Sequence, residues 1–448
     1  MKKKITSKIV VAALVMAMAA TSLMGCGSEG VIEPAATEET SAEESQDEVQ
    51  EDASAAQDSE EAVDNSDQDT SLEETLEAID ELDLDIDLEG IEDEISEAVS
   101  GAGESDEPLT AKAFVDNMVI GWNLGNTFDA FNGKAGQLRN DGLSTETCWG
   151  NPKTTKEIMD AVKGCGFNVI RIPVTWYNHM DPNTYEIDSE WLDRVHEVVD
   201  FTLDDNTYVI INSHHDTGTD GWLHASNNNI DQKKAIFQAM WTQVATSFAD
   251  YDDNLLFEGF NEILDDNNDW SNPSFESLDV VNELNQLFVD TVRSTGKGNA
   301  NRVLLVNTYC AGTNKSMLNR FEIPTDTVEG ALCAEVHAYC PYYYTATEAP
   351  DVTTWSENDV KSVFQATKLA FQLKKTPVII GEFGVVDKNN LDNRLEYFDY
   401  YVSTAKENGL KCIIWDNGIT KEFGYMDRKK LCAARAEEVE TIVSAANR

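Results

Sequence analysis

The sequence predicts an α/β protein, a (β/α)8 barrel of the TIM type preceded by a disordered acidic linker. Eight short apolar runs rich in β-branched residues recur between residues 118 and 416, and eight is the strand number of such a barrel. Segments with helical spacing of apolar residues separate most of these runs. Residues 109–448 are enough for eight strand–helix units. An open doubly wound sheet is the structural alternative.

The elements follow in order along the chain. The predicted strands lie at 118–123, 167–174, 208–213, 255–261, 302–308, 331–338, 377–383 and 410–416. Helices are expected at 188–204, 231–249 and 276–295, with a short one near 314–320 and with Gly164 and Gly296 at helix C-terminal ends. No glycine-rich phosphate-binding motif follows a strand, which disfavours nucleotide binding.

The charge is concentrated outside the predicted barrel. The 448 residues carry a net charge of -49, which excludes a protein that binds nucleic acid by neutralising phosphates. Residues 27–108 hold 32 of the 82 acidic residues, no Lys or Arg and no aromatic residue. This composition predicts a solvated, disordered spacer. Within it, apolar residues spaced through 72–95 leave open a marginal helix or a docking segment.

The N-terminus resembles a lipoprotein signal. Basic residues at the start precede the apolar run 9–23, which is too short to span a bilayer comfortably. Leu23-Met24-Gly25-Cys26 resembles a bacterial lipobox. We therefore expect a signal peptide at 1–25, a lipidated Cys26 that begins the spacer 26–108, and an extracellular barrel anchored to the membrane only by lipid. An ordinary signal peptide with an incidental cysteine is the alternative. The seven other cysteines are expected to be mostly buried thiols.

Polar residues gather at the predicted C-terminal ends of six strands, where barrel enzymes place their chemistry. They are Arg171, His214-His215-Asp216, Asn261-Glu262, His337-Ala338-Tyr339, Glu382 and Trp415-Asp416-Asn417. Two carboxylates at one barrel mouth suggest glycoside hydrolysis, in which one acts as an acid and the other attacks or activates water.

The surroundings of the two glutamates support this interpretation. Arg171 and Tyr339 are expected to lie beside Glu382 and to keep it ionised. Asn261 offers an amide to a sugar hydroxyl, and Trp415 offers a flat face to a sugar ring. Further aromatic residues are expected in loops beyond the strand ends: Trp122, Trp149, Trp176, Trp222, Tyr342 and Tyr343.

The ordered motifs from about residue 112 onward resemble glycoside hydrolase family 5 of clan A, and within it subfamily 4. They are Gly121-Trp122-Asn123-Leu124-Gly125-Asn126-Thr127, Arg171-Ile172-Pro173-Val174, His214-His215, Asn261-Glu262, His337-Ala338-Tyr339, Gly381-Glu382-Phe383-Gly384 and Trp415-Asp416-Asn417-Gly418. The resemblance implies a retaining, endo-acting hydrolase of β-1,4-glucan backbones such as cellulose, xyloglucan or mixed-linkage β-glucan, whose carboxylates lie about 5–5.5 Å apart.

The resemblance also implies a role for each matching residue. Glu262 becomes the general acid/base and Glu382 the nucleophile. The residues implied to bind substrate are Arg171, His214, His215, Asn261, His337, Tyr339, Trp415 and Asn126. No metal or cofactor is implied, and a monomer with β-glucan as its partner is expected. The alternatives are a glycan-binding lipoprotein without catalysis, or an enzyme that prefers xylan or mannan.

Overall fold

The computed structural model describes residues 108–347 and 351–448. Eight parallel strands form a closed barrel in chain order, and the first strand also pairs with the eighth. The strands are β1 (Gly121–Asn123), β2 (Val169–Ile172), β3 (Tyr208–Asn212), β4 (Leu255–Glu258), β5 (Leu304–Asn307), β6 (Leu332–His337), β7 (Val378–Phe383) and β8 (Lys411–Ile414). The barrel prediction is confirmed, and each strand lies inside its predicted run. The predicted signal peptide and spacer fall outside the described residues.

Helices alternate with the strands, and a short hairpin follows the barrel. The helices are α1 (Ala111–Asn117), α2 (Lys156–Gly164), α3 (Ser189–Thr202), α4 (Ile230–Ser247), α5 (Phe275–Ser294), α6 (Lys315–Arg320), α7 (Tyr342–Thr345), α8 (Glu357–Lys374), α9 (Leu391–Glu407) and α10 (Ala436–Asn447). The hairpin pairs β9 (Met426–Asp427) with β10 (Cys432–Ala433). Within the described ranges, no helix has both the length and the apolar character needed to cross a membrane.

The two predicted helix ends are confirmed. Gly164 is the last residue of α2, and the residue with positive φ is Gly166, at φ +105°. The chain therefore turns two residues after the helix ends, at a glycine whose backbone conformation L side chains rarely adopt. Gly296, at φ +70°, follows the end of α5 as expected.

Two apolar cores hold the barrel. The larger one lies between the strands and the surrounding helices. The smaller one fills the bottom of the barrel and is closed by α1 through Phe114 and Met118. Side chains alternate along a strand, so the next inward-facing residue lies two positions after each strand residue of the smaller core. That next residue lies nearer the mouth of the barrel. At that level the inward residues are polar: Asn123, Arg171, Asn212, Glu258, Asn307 and Glu335. The barrel interior is thus apolar below and polar where the strands end.

A bulge in β7 turns Glu382 toward this polar layer. The pairing of β6 with β7 runs from Val336–Ile380 directly to His337–Glu382, so Gly381 is the extra residue. Ile379 faces the inner core, and simple alternation would point Glu382 outward. The bulge changes the direction of the strand and brings the carboxylate to the mouth, a common use of bulges beside active sites.

The seven cysteines of the described part are free thiols. Cys310, Cys333 and Cys412 are buried, as predicted. Cys148 and Cys432 are exposed, so the expectation of mostly buried thiols holds only in part. Cys148 lies in a surface loop and Cys432 lies in the hairpin beyond the barrel.

Candidate active site

Two glutamates lie close together at the mouth of the barrel. Glu262 follows β4 by four residues, and Glu382 lies in β7. An oxygen of one carboxylate lies within 4.8 Å of an oxygen of the other. The Glu262 side chain is 23% exposed and the Glu382 side chain 7% exposed, so Glu262 is the one more open to solvent. This separation fits a carboxylate that attacks directly and leaves too little room for an intervening water.

Arg171 is the hub beneath this pair, and each of its five N–H donors has an acceptor. Nε and Nη2 bind the two carboxylate oxygens of Glu258 at 2.6 and 2.8 Å. Nη2 also donates to Asn261 Oδ1 at 2.8 Å. Nη1 donates to Glu382 Oε1 and to Asn123 Oδ1, both at 2.8 Å. The guanidinium thus holds the Glu382 carboxylate and the Asn261 amide in place. It also links β2 to side chains on β1, β4 and β7.

The expected contacts to Glu382 are present, but its electrostatic balance differs from the expectation. Arg171 Nη1 donates to one oxygen and the Tyr339 hydroxyl donates to the other at 3.0 Å. Burial nevertheless raises the pKa of Glu382 above its ordinary value, while His337 and Arg171 oppose this rise. Arg171 therefore acts on the pKa of Glu382 in the expected direction, but burial raises that pKa by more. Burial disfavours the ionised form of Glu382 by more than His337 and Arg171 favour it.

His337 connects the two glutamates. Its Nδ1 lies 2.7 Å from Glu262 Oε1 and 3.7 Å from Glu382 Oε2. Burial alone would lower the pKa of His337, but the carboxylates of Glu382, Glu262 and Glu335 raise it to about 10. These carboxylates therefore favour the protonated, imidazolium form of the ring. It can donate to Glu262 and partly neutralise the charge of the pair.

Three of the side chains predicted to bind sugar, Asn261, His214 and Trp415, lie at strand ends around the mouth. Asn261 gives its oxygen to Arg171, which leaves its two N–H donors free. His214 stacks parallel to Trp415, with ring centroids 5.5 Å apart and an interplanar angle of 4°. Asn212 Nδ2 lies 3.2 Å from His214 Nδ1, so the ring proton belongs on Nε2. The backbone at Gly125 runs so close to Trp415 that a Cβ would lie 2.7 Å from the ring.

His215 and Asn126 lie further out than the other predicted residues. Both are partly exposed. His215 packs edge-on against Phe131 and lies 5.5 Å, centroid to centroid, from Trp149. Asn126 adopts a left-handed backbone conformation, at φ +55°, and its carbonyl accepts from Asn151. Both residues lie beyond strand ends, in the loops around the mouth.

Two of the predicted loop tryptophans are part of the barrel wall. Trp122 lies within β1 and Trp176 follows β2, and both are fully buried. Trp122 Nε1 donates to Asp416 Oδ2 at 2.9 Å, and Trp176 Nε1 donates to the Asn212 carbonyl at 2.8 Å. The prediction of a loop position is wrong for Trp122, which lies within β1, and each of the two rings fills the outer core. Four others are at least partly exposed: Trp149, Trp222, Tyr342 and Tyr343.

The sequence interpretation missed two buried carboxylates of the polar layer, Glu258 and Glu335. Burial and the nearby Glu335 carboxylate raise the pKa of Glu258 to about 7, although Arg171 opposes this. Glu335 lies 3.5 Å from Arg171 Nε and 3.6 Å from His337 Nε2. The alternation of inward and outward side chains along a strand could have indicated both residues. Glu335 lies two residues before His337 on β6, so the two side chains share the inward face.

The barrel and the mouth with paired glutamates define the class of protein as a glycoside hydrolase. A family model described as "Cellulase (glycosyl hydrolase family 5)" matches residues 131–421. The chain is 37% identical over 339 residues to endoglucanase B of Neocallimastix patriciarum, which covers 72% of this chain and 69% of that protein. The chain belongs to glycosyl hydrolase family 5.

Solved structures agree with this assignment. A GH5-4 broad-specificity endoglucanase from Ruminococcus champanellensis with bound cellotriose is 38% identical, with a TM-score of 0.70, over 75% of this chain and 99% of that one. A xyloglucan-specific GH5 endo-β-1,4-glucanase from a metagenomic library, in complex with cellotriose, is 37% identical, with a TM-score of 0.69, over 74% and 97% of the chains. The chain is thus an enzyme, an endo-β-1,4-glucanase, rather than the non-catalytic glycan-binding alternative.

Proposed function

We propose that this chain hydrolyses β-1,4-glucan backbones with retention of anomeric configuration, with Glu382 as nucleophile and Glu262 as acid/base. The observation that carries the proposal is the separation of the two carboxylates, whose nearest oxygens lie within 4.8 Å. Retaining enzymes hold the pair about 5–5.5 Å apart, whereas inverting enzymes leave about 6.5–9.5 Å for a water. The wider separation does not fit this mouth.

The groups around the two carboxylates support both steps of the hydrolysis. In the first step Glu382 attacks the anomeric carbon while Glu262 protonates the departing glycosidic oxygen. Arg171 Nη1 and the Tyr339 hydroxyl each hold one Glu382 oxygen, which aims the carboxylate and limits its rotation. In the second step Glu262 takes a proton from water, which displaces Glu382 from the sugar.

The sugar is held by groups on the other side of the mouth. We infer that the free Asn261 amide donates to the 2-hydroxyl and that His214 Nε2 donates to a neighbouring hydroxyl. The Trp415 ring supplies a flat apolar face for stacking. His337 donates to Glu262 in both steps. His215 and Asn126 contact sugars further toward the non-reducing end.

The substrate we propose is a neutral β-1,4-glucan: cellulose, xyloglucan or mixed-linkage β-glucan. The broad-specificity and xyloglucan-specific structures support this class over xylan and mannan. A hydrolysis panel on carboxymethyl-cellulose, xyloglucan, barley β-glucan, xylan and mannan tests it. We expect cleavage of at least one glucan, and cleavage of xylan or mannan alone contradicts the proposal.

Glutamine variants test the assigned roles. Glu262→Gln and Glu382→Gln keep the size of each side chain and remove its acid–base or nucleophilic chemistry. We expect each variant to retain the wild-type circular dichroism spectrum and to lose nearly all turnover of the best glucan. Near-normal turnover by either variant contradicts its role. Arg302→Gln alters a buried residue at the opposite end of the barrel and serves as the control for folding damage.

We also propose the location of the enzyme from its N-terminal sequence. Residues 1–25 act as a signal peptide, Cys26 carries the lipid, and the polyanionic spacer before residue 109 holds the catalytic barrel outside the cell membrane. A neutral substrate is not repelled by the spacer's charge. Cys26→Ala is expected to move the protein from the membrane fraction to the soluble fraction. Unchanged fractionation contradicts the anchor and leaves the catalytic proposal untouched.

A further inference from the structure

Glu335 lies directly behind the catalytic pair without touching the mouth. Its side chain is fully buried, and Oε2 accepts from Asn307 Nδ2 at 2.9 Å. Oε1 faces His337 Nε2 at 3.6 Å and Arg171 Nε at 3.5 Å. Among the described residues, neither Oε1 nor His337 Nε2 has a closer hydrogen-bond partner. Glu335 Oε1 therefore has two positively charged or protonatable neighbours, Arg171 Nε and His337 Nε2, and it is the polar neighbour of His337 Nε2.

The backbone of β7 makes room for this carboxylate. A Cβ on Gly381 would lie 1.5 Å from Glu335 Oε1, far inside contact distance. Gly381 is also the bulge residue that turns Glu382 into the mouth. The same backbone irregularity thus accommodates Glu335 and positions Glu382. Glu335 is held by this close approach on one side and by the Asn307 amide on the other.

We propose that Glu335 is a positioning residue that keeps His337 as an imidazolium, with Nε2–H directed at Glu335 and Nδ1–H directed at Glu262. Two bare acceptors facing each other in this interior would repel, so a proton belongs between Nε2 and Glu335. The second ring proton then lies on Nδ1, 2.7 Å from Glu262 Oε1. The inference rests on the proposed function, because Glu262 is the acid whose orientation it explains.

The consequence concerns the free oxygen of Glu262. With Oε1 accepting from His337 Nδ1–H, the acid's own proton is carried by Oε2, which faces the departing oxygen. A neutral His337 protonated only on Nε2 would instead draw the proton of Glu262 toward Nδ1. Glu335 therefore determines, through His337, which oxygen of Glu262 delivers the proton.

The charges around His337 are consistent with this state. Besides Glu335 on its own strand, it faces Glu262 beyond β4 and Glu382 on β7. The positive groups on neighbouring elements are Arg171 on β2 and, when protonated, His214 beyond β3. Burial and the other cations lower the pKa of His214 well below its ordinary value, so its ring is neutral. Three carboxylates thus outweigh one guanidinium.

Glu335→Gln tests the proposal through the pH dependence of kcat/KM. If Glu335 maintains the imidazolium, the variant's His337 becomes neutral and a positive charge 3.7 Å from Glu382 Oε2 is lost. The pKa of Glu382 then rises, and the acidic limb moves to higher pH by about one unit or more. If His337 keeps its charge without Glu335, the lost negative charge moves the limb to lower pH or leaves it in place. Either of these results overturns the proposal.

A matched control separates this effect from damage to the fold. Glu438 is also a buried glutamate in ion pairs, with Arg394 and Arg435, but it lies on α10 outside the barrel. We expect Glu438→Gln to lower thermal stability and to leave the acidic limb where it is. If the wild-type enzyme does not cleave any glucan, the proposed function fails. If it does and the limb in Glu335→Gln does not rise, only the positioning role fails.

Histidine NMR on the unmodified enzyme provides a test that does not depend on a variant folding. The chain has six histidines, so ring nitrogen spectra are tractable and His337→Asn identifies the signal. We expect both His337 ring nitrogens to be protonated at pH 7, and Nδ1 to lose its proton in Glu335→Gln. A neutral His337 ring in the wild type overturns the proposal.

Discussion

Arg171→Lys keeps the positive charge of the hub and removes its planar fork. An ammonium has three N–H donors, whereas Arg171 uses five toward four side chains. At least two contacts are lost, and the paired contact to Glu258 cannot be reproduced. A hydrogen bond to a charged group contributes about 1.5–3 kcal/mol. Losing the contact to Glu382 therefore lowers kcat/KM by roughly 10- to 150-fold, since 1.36 kcal/mol is a factor of ten.

The same change should destabilise the protein, because the ammonium keeps the charge but leaves at least two buried acceptors without their hydrogen bonds. A buried acceptor without a partner costs about 1–3 kcal/mol, and we expect a loss of at least this size in the free energy of unfolding measured with urea. The acidic limb of kcat/KM should also rise, because Arg171 opposes protonation of Glu382.

Arg302→Lys is the matched control for the Arg171 variant. Arg302 is equally buried, but it lies just before β5 and donates to the main-chain carbonyls of Phe248, Tyr251, Asp252 and Leu255, around the start of β4. It should lose stability without a change in kcat/KM or in the pH profile. An Arg171→Lys enzyme within threefold of wild-type kcat/KM would refute the role assigned to the guanidinium fork.

Three further predictions concern the nucleophile and its strand. Because burial raises the pKa of Glu382, the acidic limb of wild-type kcat/KM should lie above the ordinary carboxyl value of about 4.3; a pH profile with a limb below 4 contradicts this. Tyr339→Phe removes the 3.0 Å hydroxyl contact to Glu382 and should lower kcat/KM by roughly tenfold or more at unchanged fold; unaltered steady-state kinetics contradict it. Gly381→Ala places a methyl group 1.5 Å from Glu335 Oε1 and should lower the melting temperature and abolish activity, whereas a stable, active variant contradicts the close approach.

Most of the fold could be predicted from the sequence because the strands of a parallel barrel are buried on both faces. Such strands appear as continuous apolar runs, and each structural strand lies inside one. Their ends were less predictable, since the apolar run at 255–261 continues past the last ladder residue, Glu258. The sequence also left open where the chain turns after α2, because Gly164 and Gly166 lie two residues apart and only the folded backbone shows which of them adopts positive φ.

Much of the site could be predicted from polar residues at or beyond the strand ends, but two carboxylates of the same polar layer were missed. Glu262, His214 and Tyr339 come after their strands and were predicted to lie at the mouth. Glu258 and Glu335 lie within strands, where a carboxylate is expensive to bury unless it is paired. Their partner is Arg171, and that three-strand contact is invisible in a linear sequence.

The bulge and the buried tryptophans show the same limit. Gly381 occupies the pairing irregularity that turns Glu382 inward, and no periodicity in β7 marks it. Trp122 and Trp176 stand near polar motifs but point to the outer core. Which face a residue presents depends on register, and a slip of one residue reverses the faces.

The stereochemistry of the first product tests the central claim most directly. Proton NMR of a glucan oligosaccharide during the first minutes of hydrolysis distinguishes the anomers before they equilibrate. Two carboxylates with oxygens within 4.8 Å predict retention, so the β-anomer should accumulate first. Initial accumulation of the α-anomer would contradict the assignment of Glu382 as nucleophile and, with it, the account of the site.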